Sequence, residues 1–236
     1  MLARVGCRLV VAVLSAGLGA VGCGCGEEWF IRQNQGPGTA PACAVSDDPQ
    51  APFRTVGRLD LALRDDYFLT PLVQNDTGDG IHIDGAIVRA WCDAAGGGPD
   101  FSEFFSPAPT YVDANGRVGT SLIAIHAGMV EALRAGACCP AGQPCDEQLV
   151  LVGVRMTGTS NGESTETAEF QYVVEVCAGC LVACAADADS DEIVGPDCCA
   201  EGGPAFTPCF PGQDDPVDCR LCGGSPICAC GTGTCS

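Results

Sequence analysis

Lysine is absent from this chain. Its only strong cations are 11 arginines, set against 30 carboxylates, for a formal charge of -19. Nucleic-acid binding needs a clustered basic face to neutralise phosphates, and this balance argues against one. It argues equally against adsorption to anionic lipid by charge. Imidazole is scarce: only His82 and His126 are present. Both fall in predicted strands, with no cysteine nucleophile or serine elbow beside them in sequence. No metalloprotease helix motif, phosphate loop or nucleophile elbow occurs. The longest apolar run, Leu9 to Val21, is short for a membrane span. Lysine-free composition with abundant Ala, Gly, Val, Asp and Pro suggests a high-GC bacterial genome.

Cysteine, by contrast, is abundant at 19 residues. That number is too large for a reducing cytosol unless most bind metal, and disulfides in an oxidising compartment are the simpler expectation. The N-terminus agrees: Arg4 and Arg8 precede the apolar run, as in a signal peptide over residues 1–22. Ala20-Val21-Gly22-Cys23 resembles the lipobox of bacterial lipoproteins, which implies that Cys23 becomes the acylated N-terminus, carrying palmitate-like chains. Secretion with cleavage nearby is the alternative. Cleavage removes two of the eleven arginines and one cysteine, leaving a charge of -21 and 18 cysteines. With Cys23 lipidated, an odd number remains, and Cys25 is the natural odd one out.

Residues 23–55 read as a tether punctuated by Pro and Gly, with Trp29-Phe30-Ile31 as a packing contact or satellite strand. From Val56 the pattern changes to short strands with turn chemistry between them. Seven are expected: Val56–Leu63, Tyr67–Gln74, Ile81–Trp91, Phe101–Val112, Val118–His126 and the hairpin Leu149–Cys177, with a helical turn at Met129–Ala135. Pro107 and Pro109 mark the fourth as an edge strand. In the hairpin's second arm Ala168, Phe170, Tyr172, Val174 and Val176 alternate with polar residues, and Asn161-Gly162 suits a tight turn. The expected fold is an all-β, immunoglobulin-like antiparallel β-sandwich over 56–177. A disulfide-stapled, mostly irregular tail follows over 178–236.

The run Tyr67-Phe-Leu-Thr-Pro-Leu-Val-Gln-Asn75, the later Ile83-Asp-Gly-Ala-Ile-Val-Arg89 and the tail Cys209-Phe-Pro-Gly-Gln-Asp-Asp-Pro-Val-Asp-Cys219-Arg-Leu-Cys222 resemble uncharacterised cysteine-rich bacterial lipoproteins of myxobacterial type. The resemblance spans most of the mature chain. It implies an envelope location and carries over no activity or site.

Strand parity divides the cysteines from the polar loops. If the strands alternate in direction, Cys92, Cys138, Cys139, Cys145, Cys177, Cys180 and Cys184 gather at one pole with the tail. The tail adds Cys198, Cys199, Cys209, Cys219, Cys222, Cys228, Cys230 and Cys235 as further disulfide candidates. The opposite pole collects Asn75, Asp76, Asp79, Asp113, Asn115, Ser160 and Asn161, a cysteine-free set suited to a partner. Cys177-Ala-Gly-Cys180 and Cys219-Arg-Leu-Cys222 have zinc or redox spacing, but the export signal favours disulfides. Asp187, Asp189 and Asp191 open like a calcium loop. Glu192 then stands at the glycine position and Cys198 at the terminal glutamate, so a solvated acidic turn is preferred to a weak calcium site.

No cofactor, structural metal or nucleic acid is expected, and no enzyme. The reading is a non-enzymatic lipoprotein of the outer membrane, at its periplasmic face or the cell surface. It would be structural or would bind an envelope protein or glycan. The alternative is an envelope thiol-redox or metal-binding protein using its CxxC pairs.

Overall fold

Alternation of side chains in the expected hairpin follows from burying one face of a pleated strand, and it is the centre of the fold. In the computed structural model, which describes residues 28–38, 42–92, 100–139, 147–183 and 208–218, this hairpin holds the middle of the larger sheet. The chain runs through β1 (Trp29–Gln35), β2 (Phe53–Arg54), β3 (Val56–Asp60), β4 (Tyr67–Leu69), β5 (Pro71–Asn75), β6 (Ile81–Cys92) and β7 (Phe104–Val112). It continues with β8 (Arg117–Gly119), β9 (Leu122–Ile125), the helix α1 (Ala127–Arg134) and β10 (Glu147–Ser160). Last come β11 (Glu163–Glu166), β12 (Phe170–Cys177), β13 (Val182–Ala183) and β14 (Val217–Asp218).

The larger sheet has the order β3-β12-β10-β6-β7, with β11 also paired to β10. The facing layer is β2-β1-β5-β8 together with the pair β4–β9. One continuous core lies between them: Val88, Val152 and Val174 from one side meet Leu69, Val73 and Ile125 from the other. The fold is an all-β, immunoglobulin-like sandwich. Neighbouring strands in its two layers are antiparallel except β3, which runs parallel to β12. Ser106 of β7 crosses the layers, accepting from Ile123 N at 2.8 Å.

Local chemistry explains the turns and edges. Asn161 and Gly162 both take positive φ (51° and 82°), the conformation a two-residue hairpin requires. β7, with Pro107 and Pro109, lies at the sheet edge, where a missing N–H is harmless. His126 caps α1, its Nδ1 accepting from Gly128 N at 3.1 Å, and Met129, Val130 and Leu133 turn the helix onto the core.

Several elements differ from expectation. Part of the stretch expected as a tether is built into the sandwich: β1 pairs with β5, and Trp29 and Ile31 are buried in the core. The strand expected over Tyr67–Gln74 is broken at Thr70, whose N–H donates to Asn34 Oδ1 at 2.8 Å, so β4 pairs with β9 while β5 pairs with β1 and β8. Val118–His126 likewise divides into β8 and β9. In the hairpin Ala168 is exposed and Thr167 buried, because Thr167 Oγ1 accepts from Met156 N at 3.0 Å. That bond shifts the alternation by one residue between β11 and β12.

The described tail segment 208–218 is ordered by hydrogen bonds rather than by cystine alone. Asp60 N donates to Gly212 O and Asp214 N to Arg58 O, both at 2.9 Å, so the segment pairs with the open edge of β3. Gln213 bridges Phe68 in both directions, accepting from its N at 2.8 Å and donating to its O at 2.7 Å. Asp214 is mostly buried: Tyr67 Oη donates to it at 3.0 Å and Arg58 N at 2.8 Å. Arg54 Nη2 donates to both carboxylate oxygens of Asp215, each at 2.7 Å. Burial pushes the Asp214 carboxyl up, although Arg58 N and the Arg54 charge oppose the shift. Burial, with the Asp214 charge added, raises the Tyr67 phenol well above its ordinary value. Burial pushes the Tyr172 phenol up to about 12.

Three disulfides lie among the described residues. Cys43–Cys209 spans 166 residues of sequence, Cys92–Cys138 spans 46 and Cys177–Cys180 spans 3. Neither a strand end nor a CxxC spacing marks Cys43, and it was outside the expected set. On loop-closure entropy the three contribute roughly 5, 4 and 2 kcal/mol.

Two outcomes test this packing. A Cβ at Gly57 would land on the Tyr67 phenol and within 3.0 Å of the Tyr172 ring, so Gly57→Ala should lower unfolding free energy by about 1–3 kcal/mol in urea. Phenols whose pKa is raised on folding stabilise the fold below their unfolded value and lose that contribution as pH rises towards the folded one. In a Tyr111→Phe chain, tyrosinate absorbance should therefore lag the free-phenol curve above pH 10 and rise together with loss of near-ultraviolet circular dichroism.

Candidate functional site

The cysteine-free pole is assembled around one amide. Asn75 ends β5 with its side chain fully buried. Its Nδ2 donates to Asp79 O at 2.8 Å and to Asp113 O at 3.0 Å, and its Oδ1 accepts from Thr77 N at 2.9 Å and from the Thr77 hydroxyl at 2.7 Å. All its hydrogen-bonding capacity is spent on holding the 75–80 and 113–116 loops together. Asn75, expected as a residue that could face a partner, builds the pole instead. Asn115, at φ 54°, donates its N–H to Thr77 O at 3.1 Å, and Asn75 N bonds Gly116 O at 3.0 Å. The hairpin turn joins through the Ser160 hydroxyl, which donates to Gly80 O at 3.2 Å. Trp29 Nε1 reaches Thr165 Oγ1 at 2.9 Å, tying β1 to β11.

On this frame Asp76, Asp79, Asp113, Asn115 and Asn161 are exposed, and Ser160 is half-buried. The seven expected pole residues are thus brought to one end of the sandwich. Sequence reasoning missed Tyr111 beside them and did not connect it with His82, which it placed in a strand. Their rings meet at 4.7 Å on adjacent strands, and Tyr111 lies over Gly80, where a Cβ would strike its hydroxyl. The alternation of β7 could have shown Tyr111 as outward-facing. His126 has the capping role described above and packs edge-on against Phe104 at 4.8 Å.

The other pole carries the cystines. Cys92 ends β6 and bonds Cys138 beyond α1, where Gln148 accepts from Cys138 N at 3.0 Å and donates to Leu133 O at 2.8 Å. Cys139 is also disulfide-bonded. Cys177 ends β12 and bonds Cys180. Asp60, Cys177 and Cys180 bring ligand atoms within 4.8 Å of one another. With the two sulfurs bonded to each other and the carboxylate held by backbone N–H groups, this cluster is a cystine with an acid beside it. Cys23, Cys145, Cys184, Cys198, Cys199, Cys219, Cys222, Cys228, Cys230 and Cys235 lie outside the described residues, as do Asp187, Asp189 and Asp191. Among the described residues, no helix is long and apolar enough to cross a membrane.

No protein-family model matches the chain, and no curated protein matches it. It is similar to a solved protein from Archaeoglobus fulgidus at 10% identity and TM-score 0.32, over 49% of this chain and 88% of that one. It is also similar to the periplasmic chaperone SfaE, at 11% identity and TM-score 0.26, over 61% of this chain and 58% of that one. A third likeness is to AggA, the major subunit of aggregative adherence fimbriae type I from Escherichia coli. It has 7% identity and TM-score 0.22, over 53% of this chain and 90% of that one. These are distant likenesses, and the sandwich assignment rests on the strand pairing itself.

Asn75→Ala would leave the half-buried Thr77 N–H without its acceptor and take one of two donors from each of the Asp79 and Asp113 carbonyls. It should lower stability by about 1–3 kcal/mol in urea and speed proteolytic nicking within 75–80 and 113–116, leaving the Cys92–Cys138 end protected.

Proposed function

We propose that this protein is a non-enzymatic cell-envelope lipoprotein, held to the outer membrane through acylated Cys23, whose sandwich presents its cysteine-free pole to an envelope protein or glycan. The observation that carries the reading is the division of the molecule. Three polar loops are fastened around buried Asn75 at one end, while two described disulfides fasten the other. A frame that holds five exposed polar side chains on short, hydrogen-bonded loops limits the ordering entropy of association. Two or more acyl chains at Cys23 would supply stable anchoring without a spanning helix.

Metabolic labelling with an alkyne fatty acid tests the anchor. The parent chain should carry label and sediment with outer membrane, and Cys23→Ser should carry none. A soluble, unlabelled parent would sink the lipoprotein reading. For the pole, the variant Asp76→Ala/Asp79→Ala/Asp113→Ala should keep the parent's urea midpoint and lose at least tenfold in retention on delipidated envelope material. Undiminished retention would remove this pole from the contact.

A further inference from the structure

The strongest unused chemistry lies where β12 leaves the sandwich. Cys177 is the parallel-ladder partner of Asp60, the last residue of β3. Both are buried, whereas Cys180, three residues on, is exposed. The chain between them turns through Gly179 at φ 82°. Asp60 holds that turn from inside. Its Oδ1 accepts from Gly179 N at 2.7 Å and Ala62 N at 3.0 Å, and its Oδ2 accepts from Leu181 N at 3.0 Å. Leu61 N donates to Cys177 O at 2.8 Å, fixing the other side of the turn.

We propose that Cys177–Cys180 is a thiol–disulfide exchange site for a small thiol or dithiol, with Cys180 the attacked sulfur and Asp60 the positioning residue that keeps the pair in register. Three observations separate this bond from its neighbours. Cys92 and Cys138 are both buried, so that bond offers an incoming thiolate no exposed sulfur such as Cys180 presents. Cys43–Cys209 closes 166 residues and restrains the chain far more than a three-residue span does. Among the three described disulfides, only Cys177–Cys180 combines a short span, one exposed partner and a turn fixed by an acid that is not part of the bond.

The step balances with the thiol as reductant. A thiolate attacks Cys180 Sγ, forming a mixed disulfide there. The Cys177–Cys180 bond breaks, its electron pair goes to Cys177 Sγ, and that sulfur takes a proton from water. The second sulfur of a dithiol, or a second monothiol, then attacks the mixed disulfide and releases Cys180 as thiolate. Two electrons have entered the protein, and the reductant leaves as a disulfide. The three N–H groups held by Asp60 bond its carboxylate and neither sulfur, so on this proposal the turn keeps its hydrogen bonds when the cystine opens, the two thiols stay facing each other and the reverse reaction needs no refolding.

The full chain in glutathione redox buffers, acid-quenched, alkylated and mapped by mass spectrometry, tests the assignment. Cys177–Cys180 should equilibrate with the buffer while Cys92–Cys138 stays closed. A Cys177→Ser chain should trap glutathione on Cys180, and a Cys180→Ser chain should show at least tenfold less adduct on Cys177. Asp60→Asn replaces an acceptor with a donor facing backbone N–H groups. It should raise the reduced-to-oxidised ratio of this pair at least tenfold at a fixed glutathione ratio, with Cys92–Cys138 unchanged as the internal reference. The proposal is overturned if Cys177–Cys180 resists exchange as long as Cys92–Cys138, or if adduct forms preferentially on Cys177. An unshifted ratio in Asp60→Asn would remove the positioning role. Should that variant unfold and open both bonds, the adduct comparison between the two serine chains decides alone.

Discussion

β10 is the constraint on which the other placements depend. It is paired along most of its length to β6 on one side and to β12 on the other. A strand fixed on both edges cannot slip by one residue without turning Val150, Val152, Val154 and Met156 out of the core. Its two ends therefore define two fixed poles. At one, Ser160 delivers the hairpin turn to the loops gathered by Asn75. At the other, Gln148 delivers the C-terminal end of α1, and with it Cys138, to the end of β6.

The larger sheet still has two edges, and they are treated differently. β7 is protected by its prolines, which offer no N–H to a further strand. β3 is covered covalently and by hydrogen bonds: residues 212–214 pair along it, and Cys43–Cys209 holds the segment down. The cover is polar beneath. Asp214 and Tyr67 are buried together, with Arg54 alongside. A buried ionic group adds little net stability, because desolvation offsets most of the attraction. What this arrangement adds is register, since a shift of the tail by one residue would leave Asp214, Tyr67 and the Phe68 backbone unpaired.

Legibility in the sequence followed locality. The hairpin, its Asn161-Gly162 turn, the edge character of β7 and the strand β6 depend on residues near one another, and all were readable. Parity then carried the loops to one end, because each strand crossing reverses direction. β1 was read only as a packing contact or satellite strand, since seven residues with a bulge near Gln33 show little period. Thr70 concealed the change of pairing partner between β4 and β5. Its signal is a hydrogen bond to Asn34, 36 residues away, within a run that otherwise reads as one apolar strand. Cys43 lacked any spacing cue, because its partner is 166 positions distant. At the candidate pole the identities were readable but the roles were not. Asn75 and Asp76 are neighbours with similar chemistry, yet one is the frame and the other the surface. Only the fold decides which side chain is spent internally.

Asp60 shows the same principle at the other pole, with a different consequence. Aspartate at the end of a strand looks like an ordinary turn residue, and nothing local couples it to a cysteine 117 positions later. The parallel pairing of β3 with β12 makes that coupling, because only this direction ends both strands at the same place. An antiparallel β3 would have set its opposite end beside Cys177 and left the CxxC turn without an acceptor. The three N–H groups that donate to Asp60 bond its carboxylate and neither sulfur. A cystine whose surroundings hold their geometry in both states is suited to exchange. One whose sulfurs are buried under a helix end, as Cys92–Cys138 is, serves only to fasten.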